Sequence, residues 1–314
     1  MRRLRFVALA LCVLVLELVA AGSAHPALAF GSQIRTFVAT TGSDADPCSR
    51  IAPCRTFGAA LAQTASGGEI VALDSGGYGT VEIYQAVTIV AAPGVQASIS
   101  PSSSDAIYVQ AGPTDTVVLR NLNLNGQGAN YGVHYVRAGS LHLENLTISG
   151  FAFYGIQMSV FGASDLYVAD TVIRGNGFGG MYLYSTTGAR ATFVNTRAEQ
   201  NGGYGFRAAE NVNVYVKDSV SSGNDYGFGA VTDNGTAVQM NIEDSVATGN
   251  TVYGIFAGTG SNGGSALIRV SNSTVTGNYY GVHFNAPAST LTRGNNTVEG
   301  NQTNGAFSGT FSAK

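Results

Sequence analysis

Four residue types suited to holding a sugar fall at near-constant spacing in the middle of the chain. They are His134, Gln157, Tyr182 and Arg207, separated by 23, 25 and 25 residues. Ser159 and Tyr184 stand two places beyond Gln157 and Tyr182. Aromatic faces with amide and guanidinium donors suit sugar rings, and an arginine fork matches a carboxylate such as that of a uronate. Chemistry on such a ligand could take three forms. Hydrolysis needs two clustered carboxylates, one acid and one base; no carboxylate is found along the row, and only Asp225 occupies an adjoining turn. Calcium-assisted elimination needs several acidic oxygen ligands beside a strong base; Arg207 could be that base, but the ligand cluster is missing. Metal-free proton abstraction needs a base and a neutralising donor, for which His134, Tyr182 and Arg207 supply the side-chain types. Arg207, Tyr182 and Asp225 are therefore the catalytic candidates, and His134, Gln157, Tyr182, Tyr184 and Arg207 the binding candidates. Glu210 and Asp233, in loops near the ends of the row, are reserve carboxylates. The alternative reading of the row is an ordinary solvated strand surface.

Such a row needs a scaffold that repeats with the same step. An acid or amide recurs at Asn121, Asn145, Asp170, Asn195, Asp218, Asp244, Asn272 and Asn295, with steps of 23 to 28 residues. A glycine, mostly preceded by tyrosine, recurs at Gly132, Gly155, Gly180, Gly205, Gly227, Gly254, Gly281 and Gly305. Two independent marks with one period of about 25 residues define a solenoid. Each coil parses into three short strands, as in Leu141 to Glu144, Leu146 to Ser149 and Gly155 to Met158. Strand alternation then predicts two inward stacks. One lies two residues before each corner, from Leu119 to Arg293, and one four before it, from Val117 to Leu291. Only Arg293 breaks the apolar rule, which points to a frayed or solvent-facing C-terminal end, the expected place for any self-association.

Asn and Asp tolerate the left-handed conformation of a one-residue corner better than other non-glycine residues. The corners therefore read as scaffold, as does a second ladder at Asn176, Asn201, Asn224, Asn250, Asn278 and Asn301. Tyr131, Tyr154, Tyr204, Tyr226, Tyr253 and Tyr280 form an aromatic ladder that packs a turn. The strand after that turn would carry the outer row His134, Gln157, Tyr182, Arg207, Gly229, Phe256, His283 and Phe307. Charges one coil apart, Arg120 with Glu144, Lys217 with Glu243 and Arg174 with Glu199, read as surface pairs.

The N-terminal segment has its own logic. Residues 1–29 read as a signal peptide, with a basic start at Arg2, Arg3 and Arg5, an apolar stretch from Phe6, and Ala27 and Ala29 before the cleavage point. Glu17 interrupts that stretch, which is too short for a membrane span. Without it the chain keeps 13 basic and 18 acidic residues, a net charge of about −5. That balance argues against nucleic acid or anionic lipid as partner. Cys48 and Cys54 are then the remaining cysteines, and in an exported chain they form a disulfide that pins one loop. Phe57, Ala60 and Leu61 share one side of a short helix that would cover the open end of the solenoid. No cofactor or metal is called for; Asp44 and Asp46 are few for a calcium site and suit a turn.

The run Phe37 to Asp44, then Pro53, Arg55, Thr56, Phe57, Leu61, Gly68 to Val71 and Gly77 to Gly79, resembles the N-terminal cap of bacterial right-handed parallel β-helix proteins of the pectin-lyase-like superfamily. The resemblance implies an all-β fold: a signal peptide over residues 1–29, a strand, disulfide loop and capping helix over 30–79, and a parallel β-helix over 80–314. It does not choose an activity, because one fold hosts many. Two expectations stand. One is an exported rod that binds polysaccharide or cell-surface material. The other is a lyase, hydrolase or epimerase acting on an acidic glycan.

Overall fold

The structure is a computed structural model that describes residues 31–312; the expected signal peptide lies outside the described residues. One residue per coil sets its shape. Asn121, Asn145, Asp170, Asn195, Asp218, Asp244 and Asn272 sit at φ between 47° and 60°. In that left-handed conformation a single residue turns the chain from one strand into the next. The corner side chains also tie neighbouring coils, as where Asn145 Nδ2 donates to Asn121 Oδ1 at 2.9 Å.

Repetition of the coil builds three parallel sheets. Sheet I has twelve strands, from Gln33–Val38 to Gly309–Thr310; sheet II has ten, from Val81–Ile83 to Thr303–Gly305; sheet III has ten, from Gly76–Gly77 to Thr297–Val298. Each strand pairs with its counterpart one coil away, and in sheet I the register passes unchanged from Ser140–Glu144 to Val212–Lys217. The inward columns of sheet I run from Val117 and Leu119 to Ile268 and Val270, every member at most 2% exposed. Along the turn into sheet II, Asn176, Asn201, Asn224, Asn250 and Asn278 are buried. Their amides hand hydrogen bonds from coil to coil, ending on Asn301, at 2.9, 3.0, 3.3, 2.8 and 2.9 Å.

The N-terminal end is closed by helix α1 (Phe57–Gln63). Thr56 caps it by accepting from Ala59 N–H, and Phe57, Ala60 and Leu61 face the core. The next strand begins at Thr64 and runs straight through Gly67 and Gly68. Cys48 and Cys54 are joined in a disulfide, both fully buried. Asp44 directs its carboxylate to Arg55 N–H (2.8 Å) and to Thr56 N–H (2.9 Å) and hydroxyl (3.0 Å), which is turn-forming work.

The last coil departs from the expected pattern. Thr290 and Thr292 pair with Ile268 and Val270, so Leu291 and Arg293 are not the inward residues. Gly294, at φ 89°, takes the left-handed corner in place of Asn295. The strand arrives one residue early, and a one-residue slip exchanges the two faces. Arg293 is exposed and lies over the Phe311 ring. Gly305 pairs with Val282 rather than Gly281, and Phe307 falls beyond the final strand of sheet II, outside the expected row. Two of the surface pairs also differ. Arg120 does meet Glu144 (2.7 Å), but Lys217 turns to Asp244 (3.7 Å) and Glu199 accepts from Arg197 (2.7 Å).

Candidate functional site

Alternation along sheet II decides which side chains reach its outer face. Val133, Ile156, Met181 and Phe206 point into the core, together with Tyr135, Met158, Leu183 and Ala208. His134, Gln157, Tyr182 and Arg207 lie between them, and the register joins each to the next, continuing through Gly229, Phe256 and His283. Ser159 and Tyr184 pair in the neighbouring row. The sequence row is therefore a physical column over seven coils.

The turn tyrosines lie against this column and convert it into an aromatic pavement. Tyr131 meets His134 at 5.0 Å, Tyr154 meets Tyr182 at 5.5 Å, and Tyr253 stacks on both Phe256 (4.9 Å) and His283 (4.9 Å). Two glycines make room for the tilted rings. A Cβ on Gly179 would lie 2.9 Å from Tyr154 Cε1, and one on Gly229 would lie 2.3 Å from Tyr204 Cε1.

One cation stands in the middle of the pavement. The Arg207 guanidinium carbon is 5.0 Å from the centre of the Tyr182 ring and 5.2 Å from that of Tyr204. Its Nη2 comes no nearer than 3.9 Å to Asp233, whose side chain is 60% exposed. Its Nε is buried without a hydrogen-bond partner. Two coils away Gln157 donates to Ser159 Oγ (2.6 Å), while its own Oε1 is buried and unpartnered. A buried polar atom left unpaired costs about 1–3 kcal/mol, so such atoms in a native fold call for a reason. Burial raises the Tyr182 hydroxyl pKa, with Arg207 only partly offsetting it. Burial raises that of Tyr204 as well.

The carboxylates sort differently from the sequence expectation. Asp225 accepts from Thr251 Oγ1 (2.7 Å), which holds it in its turn. Glu210 is 4% exposed and anchors the loop after strand Tyr226–Thr232, accepting from Thr232 Oγ1 (2.6 Å), Asp233 N–H (2.6 Å), Asn234 N–H (3.3 Å) and the Thr236 hydroxyl. Burial pushes its pKa up, but these hydrogen bonds outweigh that and hold it below its ordinary value. It is a bolt for the loop that presents Asp233. Among the described residues, no three His, Cys, Asp or Glu side chains are grouped closely enough to hold a metal ion.

A carboxylate does stand on the row, against expectation. Glu82 pairs with Tyr108, and Tyr108 with His134, so the column begins two coils earlier than the sequence count. Asp105, in the turn before Tyr108, meets His134 Nδ1 at 2.8 Å. The missed signal is the apolar alternation around Glu82 (Val81, Ile83) and Tyr108 (Ile107, Val109), which precedes the first asparagine corner.

The family model described as "Right handed beta helix region" matches residues 74–220 and 105–265. Among solved structures, a pectate lyase, Pel9A, superposes with a TM-score of 0.64 at 19% identity, covering 84% of this chain and 75% of its own. A rhamnogalacturonan lyase gives 0.50 at 13% identity over 79% and 75%. A lacto-N-biosidase from Eubacterium ramulus gives 0.50 at 11% identity over 89% and 67%. No curated sequence matches the chain. At these identities the likeness is one of fold.

Proposed function

The chain belongs to the right-handed β-helix family, within the pectin-lyase-like superfamily, and on that premise we propose that it is an exported binder of an extended acidic polysaccharide. The polymer lies along the outer face of sheet II, sugar rings on the pavement, and Arg207 takes a carboxylate. The observation that carries this reading is Arg207 itself: a guanidinium held between two rings, with an unpaired Nε and only a loose contact to Asp233. A ligand carboxylate would pair with the exposed part of this guanidinium, whose side chain is 24% exposed. The Cys48–Cys54 disulfide supports export to an oxidising compartment. The solved structures of similar fold include proteins named for action on glycans, which supports a glycan as ligand.

A second reading, proton abstraction from a uronate, is favoured by the His134–Asp105 pair, in which the aspartate orients the imidazole. Distance argues against it. Arg207 stands three coils from His134, about 14 Å at the spacing of paired strands, too far for both to serve one sugar. Tyr182 is near enough to Arg207, but its raised pKa makes it a poor base at neutral pH. Binding is the stronger conclusion.

Affinity electrophoresis in gels carrying polygalacturonate or a neutral glucan, with ultraviolet detection of unsaturated products, tests both readings. Retardation by the acidic polymer alone, lost in Arg207→Ala and without product, is the expected result. Turnover abolished by His134→Ala overturns the binding reading. Equal retardation by both polymers removes the role given to Arg207.

A further inference from the structure

At the N-terminal end of the same face the chemistry reverses sign. Glu82 and Tyr108 stand side by side on paired strands. With Tyr84, Ser104, Asp105 and Thr80 they line a recess of about 330 Å³. The Tyr84 and Tyr108 rings stand 6.5 Å apart at 60°, forming two walls of the recess. Glu82 Oε2 accepts from Tyr84 OH (2.5 Å), and Asp105 Oδ2 meets His134 Nδ1 (2.8 Å). Glu82 Oε1 and Asp105 Oδ1 have no hydrogen-bond partner among the described residues, and no lysine or arginine among them lies within ion-pair distance of either carboxylate.

We propose that this recess binds an ammonium group, held over the faces of Tyr84 and Tyr108 and neutralised by Glu82 and Asp105. Ring faces carry negative potential, and an acidic rim adds charge of the same sign, so an anion is repelled. A neutral sugar would leave the carboxylates without a counter-charge. The Tyr84 hydroxyl is pushed up to about 12 by its hydrogen bond to Glu82, so the phenol stays neutral and keeps its donor role. The site uses none of the Arg207 contacts and stands or falls separately from the acidic-polymer reading. An ammonium group has two chemical sources: the free amine of a deacetylated amino sugar in a polymer on this face, and a small quaternary ammonium compound.

Isothermal titration of the mature chain with a glucosamine tetramer, its fully N-acetylated counterpart and choline separates the sources. The expected result is binding of at least one ammonium probe, at least about tenfold tighter than the acetylated tetramer. Glu82→Gln and Tyr84→Leu should each weaken it by about tenfold or more, and Arg190→Ala, on sheet I, should leave it unchanged. Both altered side chains are exposed, so circular dichroism should show the fold retained. Preference for the glucosamine tetramer assigns an amino sugar; preference for choline assigns a quaternary ammonium. The proposal is overturned by no heat from either probe at millimolar concentration, by unchanged affinity in Glu82→Gln, or by equal binding of the acetylated tetramer.

Discussion

Two columns of side chains run along this solenoid, one residue per coil, and their polar members behave oppositely. Inside the turn, the ladder from Asn176 to Asn301 is closed: each amide donates to the next, and each Oδ1 of the following coil also receives a backbone N–H. Outside sheet II, the column through Gln157 and Arg207 is open, with Oε1 of the first and Nε of the second buried and unpaired. Both columns arise from the same repeat. Satisfaction separates them: a closed ladder holds coils together, whereas in the open one Arg207, partly exposed and only loosely met by Asp233, keeps binding capacity for something outside the chain.

The comparison can be broken most sharply inside. Asn224→Leu removes an acceptor from the Asn201 backbone and side chain and a partner from Asn250. With at least two groups orphaned, unfolding in urea should show a loss of roughly 2–6 kcal/mol. Arg207→Ala should do the reverse. Affinity for an acidic polymer should fall about tenfold or more, the worth of a charge-assisted contact, while the unfolding free energy in urea stays within about 1 kcal/mol of the parent. A large stability loss there would make Arg207 scaffold and erase the contrast.

A pH titration sharpens the border between the columns. Glu210 has a folded pKa below its ordinary value of 4.5, so its contribution is present above that pH and is lost as pH falls through the lower folded value. Protection of the Asp233 and Asn234 amides from hydrogen exchange, relative to their intrinsic rates, should therefore fall in acid below about pH 4.5, and Glu210→Gln should remove that acid dependence. The smallest effect belongs to Arg190, whose two bonds to Asp165 lie on an exposed face. Arg190→Ala should leave the unfolding midpoint unmoved, because solvent screens such pairs.

What could be read from the sequence follows from what is local. A left-handed corner needs Asn or Asp wherever it occurs, so seven of the expected corners hold; alternation is a property of a strand alone, so the inward stacks hold through Val270 and the outer row through His283. Asn295, Arg293 and Phe307 failed together because one residue fewer in the last coil exchanges faces, and a count of residues cannot see which face a strand presents. Contacts between coils were beyond the sequence for a related reason. Asp105 reaches His134 across 29 residues, and Glu210 bolts Thr236 across 26, through turns whose paths depend on how successive coils stack. The repeat determined the fold and the column that Arg207 occupies. Only the packed structure decided that Glu210 is already spent, that Glu82 and Asp105 join the row, and that Arg207 is left with an unpaired nitrogen. Hydrogen-bond satisfaction depends on every neighbour at once, and those neighbours come from other coils.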